Sequence, residues 1–187
     1  VKRRRQRQMC IRDRSTTANI TAKALTVSGI TASSKTYDGS VTATMNGNSA
    51  VYSGLVSGDT FTGSYSGVFA NANVGTGKTV TITSSYSGAD VSNYSVTNQS
   101  STTADISTKI LTASASTANK TYDGATTAST TLTFTGLVGT ETLGQTVGST
   151  FDNKNVGSNK TVTVNSITLA DGTNGGLAAN YSISAGQ

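Results

Sequence analysis

The pentapeptide KTYDG occurs at residues 35 to 39 and again, 85 residues later, at residues 120 to 124. The similarity extends well beyond five residues. Further matching pairs are TTANITAKALTV (16–27) with TTADISTKILTA (102–113), FANANVGTGKTVT (69–81) with FDNKNVGSNKTVT (151–163), and NYSV (93–96) with NYSI (180–183). Self-similarity at a fixed period indicates a repeat architecture. The chain therefore contains two copies of one unit.

The length of the unit favours a string of self-contained domains. A domain of about 85 residues is long enough to bury a core of its own, whereas solenoid repeats of about 20 to 45 residues depend on their neighbours. A β-solenoid, the architectural alternative, would show such a short sub-period, and none is found. We expect residues 15–21 to be the end of a preceding repeat, 22–107 to be repeat 1, and 108–187 to be repeat 2 without its closing strand.

The first fourteen residues differ in composition from the rest. Residues 1–14, VKRRRQRQMCIRDR, hold seven of the fourteen Lys and Arg and the only Cys. A basic run of this kind is compatible with a nucleic-acid or membrane-surface arm. However, QRQMCIRDR resembles translated sequencing-adapter read-through, and nothing similar occurs in the second unit. We expect residues 1–14 to be a disordered and dispensable head that is an artefact.

The remaining chain lacks the side chains of most catalytic sites. Residues 15–187 contain no Cys, His, Trp or Pro, and their seven Lys nearly balance eight acids. A Ser-His-Asp triad, a thiol nucleophile, an ordinary zinc site and a disulfide framework are therefore excluded. No apolar run is as long as about 18 residues, the length needed to span a membrane. We expect no enzyme activity, no cofactor, no nucleic-acid partner and no membrane insertion.

Two apparent ligand motifs do not fit their patterns. GTGKT (75–79) resembles a phosphate-binding loop, but Ala72 stands where that loop requires Gly. Several acids lie in predicted loops without the spacing of a calcium-binding loop. They are Asp59, Asp90, Asp152 and Asp171. We expect neither nucleotide nor metal to bind.

Apolar and polar residues alternate in several short stretches, as in half-buried strands. These stretches are 24–30, 79–83, 110–116 and 161–169. Frequent Thr and Val disfavour helix, and Gly and Asn recur at turn spacing. The sequence predicts an all-β fold of two tandem small domains, each with about six short strands and no substantial helix. An immunoglobulin-like sandwich is favoured, with a β-grasp-like arrangement as the alternative.

The repeated motif predicts a turn and a set of core aromatics. Asp-Gly suits a tight turn, which is expected at Asp38 and Gly39 and again at Asp123 and Gly124. Because only 6% of residues are aromatic, each aromatic ring is a large share of its core. We predict core positions for Tyr37, Phe69, Tyr94, Tyr122, Phe151 and Tyr181.

These segments, together with GLVSGDT (54–60) and SGADVSNYSV (87–96), resemble the YDG repeat family, close to the MBG-type repeats. The resemblance covers everything after the head. It implies modules of very large secreted proteins of the bacterial cell surface, many similar to filamentous-haemagglutinin-type adhesins. The role implied is a structural spacer, or stalk, whose partners are neighbouring repeats of the same chain, with a host-surface ligand for the parent protein. A glycan- or protein-binding adhesive module is the alternative.

Repeat 2 departs from the family pattern in two loops. GLVGTET (136–142) replaces GLVSGDT, and ADGTNGGLAANYSI (170–183) is longer than its counterpart. The family has no assigned catalytic residues, so the resemblance implies none here.

Overall fold

The computed structural model describes residues 16 to 184, so the predicted head lies outside the described residues. Repeat 1 contains ten strands in this part of the chain: β1 (Lys23–Ser28), β2 (Thr31–Ala32), β3 (Lys35–Thr36), β4 (Thr42–Ala43), β5 (Met45–Asn46), β6 (Val51–Ser53), β7 (Thr62–Phe69), β8 (Gly75–Ser87), β9 (Tyr94–Thr97) and β10 (Ser101–Ser107). Repeat 2 contains five: β11 (Lys109–Thr117), β12 (Thr130–Thr135), β13 (Leu143–Phe151), β14 (Val162–Asp171) and β15 (Tyr181–Ile183).

The predicted all-β class is confirmed. Between residues 16 and 184 the only helical segments are two 3-10 turns, Val91–Asn93 and Ala178–Asn180, and neither is long enough to cross a membrane. Most of each of the four stretches of alternating residues lies in a strand, namely β1, β8, β11 and β14. Repeat 2 has five strands, close to the expected six, and repeat 1 has ten because four of its strands are only two residues long and have no periodicity that would reveal them.

Each repeat builds its first sheet in the same way. In repeat 1, β1 lies between antiparallel β6 and parallel β9, and in repeat 2, β11 lies between antiparallel β12 and parallel β15. The parallel register places Lys23 opposite Tyr94 and Lys109 opposite Tyr181. Immunoglobulin sheets are antiparallel, so the mixed pairing distinguishes these repeats from that topology.

The second sheet is built on a long hairpin. In repeat 1 the strand order is β3-β10-β8-β7-β4, with β7 and β8 antiparallel. In repeat 2 the corresponding hairpin, β13-β14, forms a two-stranded sheet among the described residues. The outer edge of β14 thus corresponds to the edge of β8 that β10 covers.

The buried side chains form two clusters, one of which crosses between the repeats. The first cluster contains Val27 of β1 and Ile82 of β8, so it lies between the two sheets of repeat 1. The second contains Phe69 and Ile106 of repeat 1 together with Leu111 of repeat 2. The repeats therefore share a core, which the expectation of self-contained domains did not include.

Candidate functional site: the repeat junction

The KTYDG motif of repeat 1 forms a turn that is held by its lysine. Gly39 adopts φ +76°, a conformation that glycine accepts without steric cost. Asp38 Oδ1 accepts hydrogen bonds from the Ser40 backbone N–H at 2.8 Å and from Lys35 Nζ at 2.7 Å. Lys35 Nζ also donates to the Ser40 carbonyl at 2.7 Å and lies 5.5 Å from the centroid of the Phe69 ring. The chain bends at Gly39, the position at which the Asp-Gly turn is expected.

Repeat 2 forms the same turn with the same contacts. Lys120 Nζ donates to Asp123 Oδ1 at 2.8 Å and to the Ala125 carbonyl at 2.8 Å, and it lies 5.8 Å from the Phe151 ring centroid. Gly124 has φ +77°. The hydrogen bond from Lys120 holds the pKa of Asp123 below its usual value. In each copy, the contacts that hold the turn therefore lie within its own repeat.

The tyrosine of the first motif points into repeat 2. Tyr37 Oη donates to Glu141 Oε1 at 2.7 Å, and Tyr181 Oη donates to Glu141 Oε2 at 2.6 Å. The two rings meet edge to face, with centroids 5.4 Å apart and an interplanar angle of 82°. The Val138 backbone N–H donates to Tyr181 Oη at 3.0 Å. One carboxylate thus bridges a tyrosine from each repeat.

This arrangement favours the protonated form of both phenols. Burial raises the pKa of Tyr181 to about 12, and the hydrogen bond to Glu141 contributes in the same direction. Burial, followed by the hydrogen bond to Glu141, also raises the pKa of Tyr37. An ionised tyrosine beside a carboxylate would place two like charges in a poorly solvated site. The junction therefore requires both hydroxyl protons.

A buried asparagine completes the junction. Asn180 is 1% exposed. Its Oδ1 accepts a hydrogen bond from the Val74 backbone N–H at 3.0 Å, and its Nδ2 donates to Asn73 Oδ1 at 3.2 Å. Buried polar groups are costly unless they are paired, so these bonds specify how the Asn-rich turn of repeat 1 meets repeat 2.

The connection between the repeats is short. β10 ends at Ser107 and β11 begins at Lys109, which leaves only Thr108 between a strand of repeat 1 and a strand of repeat 2. Val138 Cγ1 lies 2.9 Å from the position that a Cβ on Gly39 would occupy. Covalent and packing contacts therefore fix the junction together.

The predicted core aromatics have different outcomes. Four are buried as predicted, namely Tyr37, Phe69, Tyr94 and Tyr181. Phe151 is half-buried under Lys120. The prediction for Tyr122 is wrong, since this side chain is 59% exposed. The reason is that Tyr37 is buried against the following repeat, and among residues 16 to 184 no repeat occupies the equivalent position beside Tyr122.

Sequence reasoning missed the lysines and the polar residues of the junction. Lys35 and Lys120 precede the tyrosine by two residues in both copies, which was a usable signal. Glu141 aligns with Asp59 within the loops GLVGTET and GLVSGDT. The presence of an acid at the same place in both copies was a second usable signal. Asn180 had no signal beyond its repetition as Asn93.

No ligand site of the ordinary kinds is found in the described part of the chain. Residues 16 to 184 contain no group of three or more acidic, His or Cys side chains that could hold a metal ion. GTGKT (75–79) lies at the start of β8, whereas a phosphate-binding loop precedes a helix. Among the described residues, the polar contacts of the junction are the candidate functional feature.

The chain contains two copies of one β unit that are joined through the junction described above. It is therefore a tandem-repeat β protein. The model of the YDG domain family matches residues 21–104 and 107–187. The chain therefore belongs to the YDG domain family and contains two tandem copies of the domain. No curated protein and no solved structure is significantly similar to it.

Proposed function

We propose that this chain is a spacer segment of a large secreted bacterial surface protein of the adhesin type, in which YDG domains hold a distal binding part away from the cell. The observation that carries the proposal is the junction: Glu141 bonds Tyr37 and Tyr181 at once, and only Thr108 separates the strands of the two repeats. A spacer must keep its length and direction. Flexible linkers coil instead, so that their reach grows only as about the square root of residue number.

The polar character of the junction also suits this role. Three part-buried hydrogen bonds cross between the repeats, one from Tyr37 to Glu141 and two at the Asn180 amide, and all three are satisfied in a single relative orientation. Rotating one repeat away from the other would take Tyr37 away from Glu141 and leave Asn180 without both of its partners. Unpaired buried groups cost about 1–3 kcal/mol each. The junction therefore resists bending more than an apolar contact of the same size.

The distance between two spin labels tests the stiffness that a spacer requires. Labels are attached at Ser57→Cys in repeat 1 and Thr168→Cys in repeat 2, both exposed, in a Cys10→Ser background. Double electron–electron resonance should give one narrow distance distribution, and Glu141→Ala should broaden it. Asp152→Asn, which changes an exposed turn acid of repeat 2, should leave it narrow. A broad distribution in the unmodified junction would exclude a rigid spacer.

The alternative function, an adhesive module, is favoured by one observation. Tyr122 is 59% exposed and lies on a groove that is also lined by Asn153, Asn155 and Val156. Exposed aromatic side chains beside amide groups are suited to binding glycans or proteins. A glycan array probed with the wild-type chain and with Tyr122→Ala would detect such a site as a signal that only the wild type gives.

A further inference from the structure

The junction has two sides, each of which is repeated elsewhere in the chain. The tyrosine face is the side of repeat 1 formed by Tyr37, Asn73 and Val74, and the acid face is the side of repeat 2 formed by Glu141, Asn180 and Tyr181. We propose that the exposed surface around Tyr122 is a second tyrosine face, and that repeat 1 of a second copy of this chain docks on it. The partner is thus another YDG repeat.

The second tyrosine face already has the geometry of the first. The Asn155 backbone N–H donates to Asn153 Oδ1 at 3.0 Å, as the Asn73 N–H donates to Asn71 Oδ1 at 3.1 Å. Lys120 holds its turn as Lys35 does. The difference lies in exposure. Tyr122 is 59% exposed where Tyr37 is 4%, and Val156, the counterpart of partly buried Val74, is 89% exposed.

Repeat 1 presents the complementary acid face. Tyr94 Oη donates to Asp59 Oδ2, as Tyr181 donates to Glu141. The Val56 backbone N–H donates to Tyr94 Oη at 3.0 Å, which repeats the bond of Val138 to Tyr181. Each junction tyrosine uses one oxygen of Glu141, so Asp59 Oδ1 corresponds to the oxygen that receives the tyrosine of the neighbouring repeat.

Surfaces that the existing junction buries are open on this face of repeat 1. Asn93, the counterpart of buried Asn180, is exposed. Val56, the counterpart of Val138, is 44% exposed. The tyrosines, asparagines and valines of the existing junction thus have counterparts on the two surfaces that we propose to join, where Lys154 replaces Ala72 and Asp59 replaces Glu141.

A strand edge points to the same partner. Ile106 in TTADI is 1% exposed within β10, which covers one edge of β8, whereas Ile20 in the matching segment TTANI is fully exposed. The corresponding edge of β14 has no neighbour among the described residues. Uncovered strand edges pair readily with an added strand. A second copy docked by its acid face would bring TTANI to this edge, just before its own β1.

This contact joins two different surfaces, so it does not close on itself. Heterologous contacts of this kind extend into an open series when the rotation between copies does not close a ring. The inference goes beyond the spacer role and does not depend on it, because the stiffness of a single two-repeat chain is measured separately.

Sedimentation velocity of the full chain over a concentration series tests the contact. The wild type should form dimers and then longer species as the concentration rises. Tyr122→Ala and Asp59→Ala should each weaken association at least about 25-fold, as expected for a central interface residue. Asp59→Glu, which restores the longer side chain of Glu141, should strengthen association. Val51→Ala, which shortens an exposed apolar residue outside both faces, should change nothing.

Mixing the two defective chains identifies the pairing. Tyr122→Ala keeps its acid face and Asp59→Ala keeps its second tyrosine face, so the mixture should form a 1:1 dimer that grows no further, although each chain alone is monomeric. Repeating the measurement in high salt tests whether the basic residues 1–14 contribute, because salt screens attraction between charges.

Three results would overturn the proposal. One is a wild-type chain that stays monomeric at about 1 mM, where even contacts of about 4 kcal/mol are populated. Another is association that Tyr122→Ala abolishes and Asp59→Ala does not, which would indicate pairing of two tyrosine faces. The third is a monomeric chain whose Tyr122 surface binds a glycan on the array, which would assign that surface to the adhesive alternative.

Discussion

At the residue scale, identical side chains have different environments in the two copies. Tyr37 is 4% exposed and Tyr122 is 59% exposed, although both belong to the same turn. The turn is set by the Lys, Asp and Gly of the motif, whose contacts lie within the same repeat. The burial of the tyrosine depends on a neighbouring repeat, and the KTYDG motif alone contains no information about that repeat.

The two motif glycines separate the turn from the junction. Gly39 and Gly124 have nearly equal φ values, +76° and +77°, so alanine costs about 1–2 kcal/mol at either position. A Cβ at Gly39 would also lie 2.9 Å from Val138 Cγ1, whereas one at Gly124 has no atom within 4 Å. We expect Gly39→Ala to lower the free energy of unfolding by a further roughly 1–3 kcal/mol. Urea denaturation measures the difference, and equal losses would show that the junction is not tightly packed.

The junction tyrosines predict a loss of stability in alkali. Folding raises the pKa of Tyr181 to about 12, against about 10 in an unfolded chain. A group whose pKa is raised on folding contributes stability that is fully present below the unfolded value and is lost as the pH rises through the folded value. Stability should therefore fall between about pH 10 and pH 12.

The chain contains seven Tyr and no Trp, so ultraviolet absorbance reports tyrosinate directly. Glu141→Gln removes the negative charge beside both phenols and should shift their late ionisation to lower pH. If the titration curve of this variant matched that of the wild type, Glu141 would not control these groups.

At the scale of secondary-structure elements, the local sequence pattern predicted where the long strands lie. It did not predict which strands pair with them. The alternating stretch 79–83 falls in β8 because Val80 and Ile82 face a core while the threonines that alternate with them face outward. The parallel pairing of β3 with β10 joins residues about 70 positions apart, and no local period encodes it. The same limit hid the role of Glu141, whose partners come from both repeats.

The lysine of the motif should stabilise two elements at once. Lys35 Nζ donates to the carbonyl of Thr42, the first residue of β4, and Lys35 itself begins β3. Hydrogen bonds to charged groups contribute about 1.5–3 kcal/mol. Lys35→Met, which retains the aliphatic stem, should lower the free energy of unfolding by about that amount. Lys23→Met, at an exposed position of β1, should change it by less than about 0.5 kcal/mol. Equal effects of the two substitutions would exclude this role.

At the scale of the whole molecule, tandem repetition creates structure at the contact between units. The alignment of the copies predicted two domains of one family, and the family match is confirmed over residues 21–104 and 107–187. It did not predict that the core would continue from one domain into the next, because length alone favoured two separate cores. The residues responsible are the motif tyrosine, the Asn-rich turn and one acid, each of which the chain carries twice.

Hydrogen exchange on two tyrosine variants distinguishes a shared core from independent domains. Replacing a large buried aromatic residue by alanine costs roughly 3–5 kcal/mol, and Tyr37→Ala also removes one of the two donors to Glu141 and the ring contact with Tyr181. Protection should therefore fall in both repeats. Tyr122→Ala removes an exposed side chain and should change stability by no more than about 0.5 kcal/mol.

If Tyr37→Ala unfolds the chain completely, Tyr37→Phe keeps the experiment informative. This variant retains the ring contact with Tyr181 and removes only the hydrogen bond to Glu141, so we expect a loss of about 1.5–3 kcal/mol. Exchange should then accelerate at β3 in repeat 1 and at β15 in repeat 2, because the bridging carboxylate has lost one of its two donors. A loss of protection confined to residues 22–107 would mean that each repeat folds as a self-contained domain and that the junction contributes nothing to stability.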